Sequence, residues 1–336
     1  MSHKPTRRQF LAHAVAAGAT LGTSATPGCR AEPASRNERG RQRAARVVIA
    51  HDDTLTSGQV AEHHDLLRKL LDASMQRLTD NADPAAAWRK LFKPTERIGV
   101  KVNTLGLSTQ PAVVDAIVAG LRQAGVKAEN IIIWDRFDVE LAQAGFKLNK
   151  SGGGVRCHGT DAEQYGSGYQ DKIESSGRIG SCFSRIVAEQ VDALISVPVL
   201  KDHNLAGVSL GMKNFYGAIH NPNKYHDDNC DPYVADVVSH RFIGPKWRLT
   251  ICDGVRAQYN AGPGRHPGFA WPFGGLIVSS DFVAADAVAA DLLEKRRKEA
   301  GLKSLAEEKR PARHIATASA RGLGEADLSK IERVEV

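Results

Sequence analysis

Three lysines, one imidazole and a set of Asn and Asp side chains are the residues of this chain whose types and spacing could do chemistry. Val100-Lys101-Val102-Asn103 alternates apolar and polar residues, and the period of two along a strand puts Lys101 and Asn103 on one face. Lys201 and His203 follow a second apolar run, Asp135 closes a third, and Cys252-Asp253-Gly254 ends a fourth. Ligands of an open parallel sheet bind beyond the carboxyl ends of its strands. Lys101, Asn103, Asp135, Lys201, His203 and Asp253 are therefore expected along one edge. Lys213 and Asn214 come from the segment Asn204 to Ile219, where Val208, Met212, Phe215 and Ile219 recur at helical spacing and predict a helix that leaves Lys213 and Asn214 off its apolar stripe. Gly207, Gly211 and Gly217 would each cost about 1 kcal/mol inside that helix, which points to a close backbone approach that offsets the cost.

Three ammonium groups beside Asn amides suit a carboxylate or a phosphate. On this reading Lys101, Asn103, Lys201 and Asn214 bind the anion. His203, whose ordinary pKa lies near neutrality, is the general acid/base, and Lys213 and Asp253 complete the catalytic set. Asp286 sits in Val283-Ala284-Ala285-Asp286-Ala287-Val288, apolar nearly all round, and a buried carboxylate needs a cation or hydrogen-bond donors. It is expected as a counter-charge to one of the lysines, while Asp281 before it reads as a helix N-cap. The same polar set also fits a buried network that only fixes the fold.

His220 and His226, with Asp227, Asp228 and Asp231 nearby, are the residues that could hold a divalent metal. They are six apart in an Asn/Pro-containing loop and not at the i, i+4 spacing of a helical zinc motif, so hydrogen-bonding loop histidines are the competing assignment. Cys157, Cys182, Cys230 and Cys252 show no CxxC spacing, and no iron–sulfur cluster is expected from them. Neither a GxGxxG fingerprint nor a phosphate-cradling Gly-Lys-Ser/Thr loop is present in the chain.

The elements that must position these groups alternate. Strands are predicted at 46–50, 98–103, 130–135, 193–199, 249–253, 276–280 and 331–336, with helices near 57–80, 111–124, 138–145, 183–191, 231–240 and 282–299. Helix 111–124 opens on Pro111, carries Val113, Val114, Ile117, Val118 and Leu121 on one stripe, and stops at Gly125. This alternation predicts an α/β layered domain, a mostly parallel sheet flanked by helices, from residue 47 to 336. Residues 147–181, rich in Gly and Ser, are expected to be a loop or small insertion.

The 336 residues are 42% hydrophobic and 25% charged, which excludes a disordered or fibrous chain, and the net charge is +7. Nine basic and two acidic residues of the first 46 account for that whole excess. A neutral body gives no support for a nucleic-acid partner. Thr6-Arg7-Arg8-Gln9-Phe10-Leu11 leads into an apolar stretch of about thirteen residues, too short to span a bilayer, which takes about twenty. It reads as a twin-arginine signal over residues 1–29, addressed to the twin-arginine export machinery and the periplasm, with no transmembrane helix in the mature chain. Thr23-Ser24-Ala25 offers a cleavage site. Gly28-Cys29 offers a lipid attachment instead, although Thr26 departs from the aliphatic residue usual there. Residues 30–46 read as a disordered linker.

Five stretches in order carry a resemblance: Lys101-Val102-Asn103; Ile195 to His203; Gly211-Met212-Lys213-Asn214-Phe215-Tyr216-Gly217; Asp253-Gly254 with Gly262-Pro263-Gly264; and Ser280-Asp281 to Asp286. Together they resemble the domain of unknown function 362 family, over nearly the whole body from about Val47 to about Leu323. The resemblance implies a fold and a set of candidate residues but no established reaction. Members are often exported on a twin-arginine leader. Some carry ferredoxin-like cysteine clusters, which this chain lacks. The residues thus lead to the expectation of an exported enzyme acting on a small anionic substrate, with metal assistance from His220 and His226 as an option. The alternative is a non-catalytic periplasmic protein that binds an anion or a metal.

Overall fold

The computed structural model describes residues 44–336. The predicted signal at 1–29, its Cys29 alternative and all but the end of the predicted linker lie outside the described residues. The linker's end is corrected: strand β1 (Ala45–His51) already contains Ala45 and Arg46, and the Arg46 guanidinium holds Glu332 at 2.8 Å and Asp80 at 2.6 Å.

The chain then forms β2 (Ile98–Val102), β3 (Ile131–Trp134), β4 (Arg156–Cys157), β5 (Glu174–Ser176), β6 (Ile179–Ser181), β7 (Ala193–Val197), β8 (Val199–His203), β9 (Gly207–Val208), β10 (Trp247–Gln258), β11 (Ala270–Trp271), β12 (Gly275–Ser279) and β13 (Ile331–Glu335). Eight of these lie in the order β13-β1-β12-β10-β7-β2-β3-β4, and β8, β9 and β11 pair beside β10 or one another. Every pairing along that path is parallel except the two made by β12. Each strand predicted from the sequence is present. The helices are α1 (His64–Thr79), α2 (Pro84–Arg89), α3 (Pro111–Gln123), α4 (Asp138–Gln143), α5 (Gly211–Asn214), α6 (Tyr233–Ser239), α7 (Phe282–Glu299) and α8 (Arg313–Ala320). None of the helices described is long and apolar enough to cross a membrane.

Both faces of the sheet are covered, which is why its central strands read as unbroken apolar runs and not as alternations. In β1 the period of two still sorts the residues: Val48 and Ala50 join Leu67 and Leu71 of α1 and Val113, Ile117 and Leu121 of α3, whereas Val47 and Ile49 join the layer of α5, α6 and α7. The punctuation of α3 works as read, with Pro111 in its first turn. Asp281 caps α7, its carboxylate accepting the amides of Val283 at 3.0 Å and Ala284 at 2.9 Å.

The helix predicted across 204–219 is corrected. That stretch is a turn, the short strand β9, the single turn α5 and a 3-10 turn at Phe215–Ala218. Its four stripe residues are all buried in one core, but strand, turn and helix bring them there in succession. Gly207 breaks the periodicity: its φ is +78°, and a side chain would run into the backbone of Arg310 and Ala312.

Candidate functional site

Strands β2, β3 and β7 are mutually parallel, and β8 continues directly from β7 through Pro198 alongside the second half of β10. Their carboxyl ends deliver Lys101, Asn103, Asp135 and His203 to one side of the sheet. There they line a cavity of about 470 Å³ together with Lys213, Asn214 and His226. Of the six residues expected along one edge, these four line the cavity, and Lys201 and Asp253 do not.

The three cations do not act alike. Lys101 is buried, and its ammonium donates to Asp135 Oδ1 at 2.6 Å, to the Val102 carbonyl at 2.6 Å and to Asn214 Oδ1 at 3.1 Å. All three of its hydrogens are taken. Asp135 is equally saturated, accepting the Thr104 amide and hydroxyl, both at 2.9 Å, and the Arg136 amide at 2.8 Å. Burial lowers the Lys101 pKa, with the Asp135 charge pulling against it. Asn214 completes the clamp by donating to the Lys101 carbonyl at 3.0 Å and Ser196 Oγ at 3.1 Å.

Lys201 lies outside the cavity. Its ammonium donates to Asn103 Oδ1 at 2.9 Å and to the carbonyls of Leu105 at 2.6 Å and Leu107 at 2.8 Å, so it organises the loop after β2 from inside. Burial pulls its pKa down to about 7. The expected three-lysine anion patch is therefore one lysine facing the cavity with free donors and two that hold the wall.

That one is Lys213. Its ammonium lies 3.1 Å from His226 Nε2 and 4.6 Å from the centre of the Tyr216 ring. His226 is 3.1 Å from the Pro222 carbonyl through Nδ1, which assigns the proton to Nδ1 and leaves the Nε2 lone pair to accept from Lys213. One ammonium hydrogen is thus engaged and two remain available. Burial brings Lys213 down to about 8. His203 stacks on His226 at 5.7 Å, and its Nδ1 accepts two amides, Leu205 at 3.0 Å and Ala206 at 3.2 Å. Its lone pair is occupied and burial pushes its pKa to about 2, so the ring is a fixed neutral Nε2–H donor in place of the expected proton acceptor.

Asp253 and Asp286 do not reach the cavity. Asp253 accepts the amides of Gln110 at 2.7 Å and Val255 at 3.0 Å, tying the start of α3 to β10. Asp286 accepts the amides of Gly211 at 2.8 Å and Met212 at 2.9 Å. Its expected lysine partner is replaced by the first turn of α5. Burial raises both carboxyls to about 7 against those donors.

The sequence reading passed over two charged cavity residues, Arg136 and Glu140. Arg136 follows Asp135 directly and lies over the Phe137 ring at 4.7 Å, and its buried Nε has no hydrogen-bond partner among the described residues. Glu140, one helical turn on, has its pKa raised by burial and by the Asp135 charge, and its Oε2 lies 3.2 Å from Thr104 Oγ1, whose one hydrogen it shares with the closer Asp135 carboxylate. The signal was available: both belong to the first residues beyond a parallel strand's carboxyl end.

Gly217 fixes the approach of the α5 segment to the sheet. A Cβ there would lie 2.8 Å from Asp135 Oδ1 and 2.9 Å from Lys101 Nζ. Gly217→Ala is expected to cost about 1–3 kcal/mol in a urea titration, because the pair it presses on is buried and cannot retreat. A loss below about 0.5 kcal/mol would mean that the ion pair has slack.

The family model for the domain of unknown function, DUF362, matches residues 93–291. The chain belongs to that family. The matched DUF362 stretch contains every strand-end residue above, Arg136, Glu140, Lys213 and His226 included, whereas α8 lies beyond it. No curated protein and no solved structure matches this DUF362 chain.

Of the proposed metal pair, only His226 is at the cavity. His220 is exposed and sits edge-on to Tyr169 at 5.1 Å, so the structure does not bring the two together. No group of three or more His, Cys, Asp or Glu among the described residues is arranged to hold a metal. Cys157, Cys182, Cys230 and Cys252 are free thiols.

Proposed function

We propose that this DUF362 protein is an enzyme that binds a small anionic substrate against Lys213, Arg136 and His203, and moves a proton at that substrate with Lys213 and Glu140. The observation that carries the reading is the contrast among the lysines. Lys101 and Lys201 have three internal acceptors each, while Lys213 faces a 470 Å³ cavity with two hydrogens uncommitted.

Lys213 and Arg136 supply positive charge, and the His203 Nε2–H supplies a directed neutral donor; hydrogen bonds to a charged acceptor are roughly twice as strong as neutral ones. With a pKa near 8, Lys213 can release and regain a proton close to neutrality, and His226 aims one of its hydrogens away from the ligand. Glu140 is displaced upward and stands ready as the opposite member of an acid and base pair. This assignment uses no metal. The export signal read in residues 1–29 would place the chemistry in the periplasm.

A panel of carboxylates and phosphorylated compounds, scored by thermal shift on the full chain, tests the reading. Lys213→Met is expected to fold, with unchanged near-UV circular dichroism, and to bind the best panel anion at least tenfold more weakly, given the ~1.5–3 kcal/mol typical of a charged hydrogen bond. A variant that folds and keeps the full shift removes the proposal. A non-catalytic anion carrier is favoured by one observation, the occupied lone pair of His203, and stoichiometric retention of the ligand without product would select it.

A further inference from the structure

Exposed large hydrophobic residues are few among the described residues, and two of them, Leu105 at 56% and Leu205 at 44%, line the same cavity. Being both exposed and cavity-lining, they stand at its mouth, and the half-buried Pro263 adds further apolar lining.

Neither leucine is there because its loop is loose. The Leu105 carbonyl accepts the buried Lys201 ammonium at 2.6 Å. The Leu205 amide donates to His203 Nδ1 at 3.0 Å and its carbonyl accepts from Asn229 Nδ2 at 3.0 Å. The two loops are also joined through a third: the Asn204 amide donates to the Gly262 carbonyl at 3.0 Å, and Gly106, at φ +72°, lies so close to Pro263 and Gly264 that a side chain there would collide with their backbone. Buried polar groups thus hold an apolar rim in place around a cavity lined by Lys213 and Arg136 together with the internally saturated Lys101.

The volume agrees with that division. A liquid water occupies about 30 Å³, so a bare carboxylate or phosphate would leave most of 470 Å³ unfilled. Ligand sites generally combine a largely apolar lining with a few placed polar groups.

Resting on the anion site proposed above, we propose that the substrate class is amphiphilic: an anionic head held at Lys213 and Arg136, with a short apolar chain leaving over Leu105 and Leu205. The commitment is to a small molecule. A peptide or a second copy of the chain would cover the rim without placing an anion inside.

Straight-chain carboxylates and alkyl phosphates from two to eight carbons, with n-alkanols of the same lengths as controls, are titrated into the full chain by calorimetry. In at least one anion series the affinity is expected to rise about fourfold per added methylene, the value of a fully buried CH₂, before levelling off. The alkanols are expected to bind at least tenfold more weakly than the anions of equal length. The double variant Leu105→Asn/Leu205→Asn is expected to lose the length dependence, flattening the series to within about twofold; both side chains are exposed, and its unchanged melting temperature would show that the fold is intact. Equal affinities across all lengths in the wild-type chain would overturn the amphiphile and leave the anion site standing. Binding of no anion at any length would overturn both, and alkanols binding as well as the anions would show a greasy surface with no head-group site.

Discussion

Asp135→Ala is expected to destabilise the protein by about 3–5 kcal/mol, the range for removing one partner of a buried ion pair. The loss comes from what remains behind. Lys101 would keep two acceptors, the Val102 carbonyl and Asn214 Oδ1, around a charge with no counter-ion in a fully buried position, while the Thr104 amide and hydroxyl and the Arg136 amide would lose their shared acceptor. Lys101→Met is expected to cost less, because Asp135 would still receive three hydrogen bonds. The double variant should cost clearly less than the two single losses combined, since the pair acts as one unit.

The pH dependence supplies a second readout. Burial already lowers the Lys101 pKa, and removing Asp135 takes away the strongest opposing influence. A lysine whose folded pKa lies below its ordinary value of 10.5 binds fewer protons folded than unfolded between the two values, so stability rises with pH across that window. The Asp135→Ala deficit should therefore shrink as denaturation midpoints are measured from pH 7 toward pH 10. A deficit under 1 kcal/mol, or one that does not change with pH, would mean that Asp135 is not what compensates the buried ammonium.

These same residues show what the sequence could and could not disclose. Runs such as Ile131–Trp134 and Ala193–Val197 identify buried parallel strands, because a strand covered on both faces has no polar alternation to confuse it. Once the strands are parallel, their carboxyl ends must share an edge, and the meeting of Lys101, Asn103, Asp135 and His203 follows. What escaped was the state of each cation. Lys201 is saturated by the carbonyls of Leu105 and Leu107, and a backbone carbonyl leaves no mark in the sequence. His203 loses its lone pair to two amides for the same reason. The helical periodicity of 204–219 misled because burial from several directions can reproduce a stripe by coincidence. Its glycines were the better guide: Gly211 presses on Asp286 and Gly217 on the Lys101–Asp135 pair, which is the close approach their cost implied.

His314 was wholly out of reach of pattern reading, and it carries the second large prediction. It lies on α8, fully buried, and neither ring nitrogen has a hydrogen-bond partner among the described residues. Burial and the nearby Lys213 charge push its pKa to about 3, from an ordinary 6.5. Between those values the unfolded chain binds a proton that the folded chain refuses, so stability falls as pH falls from about 6.5 toward about 3, by about 1.4 kcal/mol per unit. Leucine is close to histidine in volume and has nothing to satisfy. His314→Leu is expected to be neutral to stabilising at pH 7, by up to about 1–3 kcal/mol for removing unpaired polar atoms from the interior. The advantage over the parent chain should grow by about 2 kcal/mol at pH 5, where the imidazole's proton refusal is the difference between the two proteins. Urea midpoints of both chains at pH 7, 6 and 5 measure it. A variant less stable than the parent at every pH would show that the imidazole is engaged after all. A constant gain with no pH dependence would show that His314 titrates in the folded chain as it does in the unfolded one.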